Sequence, residues 1–100
     1  MYDEVINILE EYLKQYKQPE KYSWQRGYFE QNSYSVWAMK ELIRRIEIKK
    51  KLSPILVIEQ FIHEMDEYSC KTQSSSFMFS IAKDAAEYIY DICLIMKERN

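Results

Sequence analysis

Residues 77–96 read FMFSIAKDAAEYIYDICLIM, and no other stretch constrains the architecture as tightly. Wound at about 100° per residue, it gathers Ser80, Lys83, Asp84, Glu87 and Asp91 into one stripe about 100° wide, and every other position is apolar. A surface helix of a monomer has the reverse proportion. This helix is therefore expected to be wrapped by neighbours on several sides, or to form half of an oligomer interface. Cys93 falls opposite the polar stripe, which marks it as a core thiol rather than a reactive one.

The neighbours lie upstream. Residues 72–76 are polar and rich in capping types, so the last helix is predicted over about 76–98. Before it, Ser53-Pro54 marks a helix start: serine caps free amides, and proline occupies the first turn, where its missing N–H costs nothing. Ile55, Ile58, Phe61, Ile62, Met65 and Tyr68 then give a buried stripe over about 54–68. A first helix over about 2–17 follows from Tyr2, Val5, Ile6, Leu9, Tyr12, Leu13 and Tyr16, and Gln18-Pro19 closes it. A second, over about 35–50, turns Val36, Met39, Leu42, Ile43 and Ile46 inward, with Asn32, Ser33 or Ser35 as its cap. Lys49, Lys50 and Lys51 suit the negative end of that helix's dipole without any ligand.

Composition agrees. One glycine and two prolines leave too little turn chemistry for an all-β chain, and 47% hydrophobic residues in a 100-residue chain can furnish one core. The expectation is all-α: a four-helix bundle-like single domain over 1–100, with an aromatic-rich connection between helices one and two. A net charge of −2, with 14 basic residues spread among 16 acidic ones, makes nucleic-acid binding unlikely. The acidic start Met1-Tyr2-Asp3-Glu4 and the absence of a long apolar run lead us to expect a cytoplasmic chain with no membrane association and with Cys70 and Cys93 reduced. Abundant Ile, Lys, Tyr and Met suggest a low-GC bacterium or its phage.

Two regions are candidates for function. Residues 21–34, KYSWQRGYFEQNSY, crowd aromatic side chains around Arg26 and Gly27, a density unusual in a plain connection. Trp37 projects away from the inward stripe of helix two and needs cover, for which this segment is the nearest source. Trp, Tyr and Arg are also the usual anchors of interfaces, so Trp24, Arg26, Tyr28 and Phe29 are the expected partner-binding residues.

The second candidate is the polar face of helix three, where Glu59, His63, Asp66, Glu67 and Cys70 project together. Carboxylate, imidazole and thiol are all metal ligands, and Glu59, His63 and Cys70 would be the set to test. The motifs fail, however. Glu67 stands where the zinc-protease helix needs its second histidine, and Gln60 stands where a carboxylate-bridged bundle needs glutamate three residues before His63. There is no Gly-x-Ser-x-Gly and no phosphate loop. The expected function is accordingly non-enzymatic and cofactor-free: a small protein-interaction or inhibitor module that binds a protein partner, itself included as a homodimer through helix four. The alternatives are a metal-dependent enzyme with its site on helix three, and weak nucleic-acid binding through Arg44, Arg45 and Lys49 to Lys51 at the end of helix two.

Overall fold

The computed structural model describes residues 2–15, 26–71 and 76–99; for residues 15, 26–32 and 76 it describes the backbone alone. Four helices account for nearly all of them: α1 (Tyr2–Gln15), α2 (Arg26–Ile48), α3 (Pro54–Lys71) and α4 (Ser76–Arg99). The protein is all-α, with its four helices packed together as a bundle-like fold.

The start of α3 follows the Ser-Pro reading. The carbonyl of Ser53 accepts from the Val57 amide at 3.1 Å, the first bond of the helix, and Pro54 is buried at its first position. The turn before it is tight: Leu52 donates to the Lys49 carbonyl at 2.9 Å. Glu59 meets Tyr90, Asp66 meets Lys83, and Tyr68 meets Phe79, so positions rise along α3 as they fall along α4. The two helices are therefore antiparallel.

α2 departs from expectation. It was expected from about residue 35 and begins at Arg26, so residues 26–34 belong to a helix and not to a connection. Asn32, Ser33 and Ser35 are cap formers only where the chain before them leaves the helical region. Inside a helix each costs a few tenths of a kcal/mol, and one glycine in the first turn adds about 1 kcal/mol or less. Nothing from Arg26 to Gln31 forbids continuation, since no proline intervenes. α3 and α4 also run slightly further than expected, to Lys71 and Arg99. The predicted end of the first helix, at 16–17, lies outside the described residues.

Most of each expected stripe enters one core; Tyr68, expected in the buried stripe of α3, is instead 39% exposed, near the end of the helix where its ring meets Phe79. Val5, Leu9 and Leu13 come from α1; Met39, Leu42 and Ile46 from α2; Ile55, Ile58, Phe61 and Met65 from α3. α4 supplies mostly small residues, Ala82, Ala85 and Ala86, with Ile89 and Cys93. It packs against all three other helices, as its nearly all-apolar surface implied. No polar side chain is buried among the described residues.

The side chains of 21–32, expected to cover Trp37, lie outside the described residues; the described cover comes from α3. Trp37, Glu41 and Arg45 follow at four-residue spacing along the flank of α2 that faces α3, and the indole lies against Phe61, ring centroids 6.1 Å apart. It remains 40% exposed.

Candidate functional site

Three surface features carry enough chemistry to be weighed. The first closes the α2–α3 seam. Arg45 donates from Nε to Glu41 at 2.9 Å and, through both terminal nitrogens, to the two oxygens of Glu64 at 2.8 and 3.2 Å. Its guanidinium also sits 5.1 Å from the centre of the Phe61 ring, a cation–π contact. Arg44 donates to both oxygens of Glu41, sharing Oε1 with Arg45. Hydrogen bonds from Arg44 and then Arg45 hold the Glu41 carboxyl down at about 2, and the Arg45 bond lowers Glu64 as well. Every charge here has a partner, so this is a clasp between helices with no site left to fill.

The second is the α3–α4 cleft, about 470 Å³, on the polar face of α3 that the sequence singled out. Of the charged groups that line it, Asp91 makes no ion pair among the described residues, and the others are engaged. The Tyr90 hydroxyl donates to Glu59 at 2.5 Å, an acceptor that raises the phenol's pKa. Lys83 bonds Asp66 at 2.9 Å and lies 3.8 Å from Glu87; the Asp66 bond raises the ammonium and lowers the carboxyl. His63 Nε2 is 3.2 Å from Glu67. Among the described residues no three of His, Cys, Asp and Glu come together as a metal could be held. Glu59 and Cys70 share a face, but eleven residues of helix separate them by about 16 Å along the axis, too far for one ion. Cys70 is exposed and free, whereas burial pushes the Cys93 thiol up to about 11.

The third is a groove of about 270 Å³ between α1 and α4. Ile8 and Tyr12 of α1 and Tyr88 and Ile92 of α4 give it an apolar floor, with Asn7 and Glu11 at its edge. The Tyr12 and Tyr88 rings lie 5.3 Å apart, tilted by 43°. Tyr88 is nevertheless 54% exposed, and Ile95 and Phe77 on the same helix are 51% and 55% exposed. Spacings of 7 and 11 residues bring these three to one face, since both are close to whole numbers of turns. The Phe77 ring meets Tyr34 of α2 nearly at right angles, centroids 6.3 Å apart.

Of the residues expected to bind a partner, Trp24 lies outside the described residues. Arg26, Tyr28 and Phe29 sit in the first turn of α2, and their side chains lie outside the description too. The α1–α4 groove was not anticipated. Its signal was present in Tyr88, which borders the polar stripe of α4 where a core position would not. No protein-family model, curated protein or solved structure matches the chain.

Proposed function

We propose that this chain is a protein-interaction or inhibitor module acting in the cytoplasm, and that it binds a protein partner through the exposed apolar face of α4 and the groove beside it. One observation supports this reading above others: Phe77, Tyr88 and Ile95 form a row, each more than half open to water. Eighteen residues of helix make that row about 27 Å long. Covering a large apolar side chain is worth about 1.5–3 kcal/mol, so a partner that sealed this row would gain substantially. Trp24, Arg26, Tyr28 and Phe29 remain in the proposal as flanking contacts, because the chain leads from them to Tyr34, which meets Phe77. In the α3–α4 cleft, by contrast, Glu59, Asp66 and Glu87 already have partners in Tyr90 and Lys83.

Photo-crosslinking tests the proposal. A benzophenone amino acid in place of Tyr88 should yield a discrete protein adduct in cells expressing the chain, and the same group in place of Lys40, exposed on α2, should not. No adduct at position 88, or the same adducts at both positions, overturns it.

A further inference from the structure

We infer that the α1–α4 groove is shaped for a basic amphipathic helix of the partner protein, with the helix's apolar face on Ile8, Tyr12, Tyr88 and Ile92 and its Lys or Arg side chains over the rims. This rests on the interaction reading above and names the chemistry of the partner. The floor is apolar, and carboxylates stand on both sides of it. On the α4 side, Asp84 precedes Tyr88 by one turn and Asp91 follows it by three residues, so both adjoin the exposed ring on the helix surface. Both are exposed, and neither makes an ion pair among the described residues; they stand outside the floor, and Asp91 also lines the α3–α4 cleft, on the ridge between cleft and groove. On the α1 side, Glu11 lines the groove and among the described residues is held by Lys14, an exposed pair whose side chains are 70% and 67% open. Such a pair is weak and is readily exchanged for an incoming cation.

An apolar channel between two helices takes a third helix by the ridge-and-groove packing that builds bundles. Apolar anchors at i, i+3, i+4 and i+7 fit its floor, and flanking basic residues meet its lips. Charge decides against a second copy as occupant. A two-fold pairing sets the same patch against itself, so Asp84 and Asp91 of one copy would face carboxylates of the other.

The test uses three labelled 18-residue peptides: one with a leucine face flanked by lysine, its twin with glutamate for lysine, and a scramble of the first. Fluorescence anisotropy should show the lysine peptide binding at least about tenfold more tightly than either of the others, and weakening as salt rises. Amide shifts should localise it to Ile8, Tyr12, Tyr88 and Ile92. Asp84→Lys with Asp91→Lys should weaken it by about tenfold while leaving the melting temperature unchanged, both residues being exposed. Equal binding of the glutamate twin, binding of the lysine peptide elsewhere, or a concentration-dependent dimer that seals the groove each overturns the basic-helix inference and leaves an exposed apolar interaction face standing. If no peptide binds, no dimer forms and no crosslink appears at position 88, the interaction reading falls with it.

Discussion

Across the α2–α3 seam, Arg45 reaches from one helix to the other, binds two carboxylates and lies on the Phe61 ring, with Trp37 on the same ring. Across the α1–α4 seam Tyr12 and Tyr88 meet as a tilted pair at the surface, and half of Tyr88 faces water. Both seams flank the same core. The first has its polar groups paired and its large ring fully buried; the second leaves Tyr88 half open to water, and Asp84 and Asp91 beside it make no ion pair among the described residues. Completed seams hold a fold together, whereas an incomplete one has binding energy still to give, which is why the proposed partner contact is put on the α1–α4 side.

Truncating the ring at the centre of the closed seam should have the largest effect. Phe61 is fully buried, and Phe61→Ala should cost about 3–5 kcal/mol, a large share of the stability of a domain this size, read as a melting temperature lower by about 15 °C or more. A variant that melted near the parent temperature would show that the α2–α3 seam is not closed by packing.

Arg45→Ala should cost less, about 1–2 kcal/mol by urea titration, because Arg44 still binds Glu41 and Glu64 is partly open to water. The acid melt sharpens this. Glu41 and Glu64 are both depressed in the folded state, so their contribution is complete above the ordinary carboxyl value of 4.5 and disappears as pH falls toward about 2. The parent should lose stability through that window. Arg45→Ala should lose less there, since Glu64 then titrates near its unfolded value; an unchanged acid profile would mean that the clasp is not formed in solution.

The smallest effect is expected in the open seam. Tyr88→Ala should cost under about 1 kcal/mol, roughly the worth of one aromatic pair. A loss as large as that of Phe61→Ala would make the groove part of the core and erase the contrast.

Much of the bundle could be read from the chain. The stripes of α1, α3 and α4 repeat every three to four residues, and burial of Leu9, Phe61 and Ile89 follows from periodicity alone. The start of α2 could not, because cap-forming Asn32 and Ser33 look alike at a helix end and inside one; only the rest of the fold selects between them. On the helix-three face the sequence grouped side chains by angle and ignored their rise along the axis, so Glu59 and Cys70 seemed closer than a helix permits. The pairings of Arg45 with Glu64, Tyr90 with Glu59 and Lys83 with Asp66 depend on the register between helices, which no single helix encodes. The α1–α4 groove depends in the same way on how far one helix covers its neighbour.

The alanines at 82, 85 and 86 give α4 two different freedoms to evolve. They are buried at close quarters, and added volume there would force the neighbouring backbones apart at a cost of about 1–3 kcal/mol. Tyr88, Asp91 and Ile95, on the outward side of the same helix, meet no such limit. Lineages descended from this chain should therefore keep small residues at the first three positions while the latter three drift with whatever they bind, so that α4 alone would preserve ancestry on one side and specialise on the other.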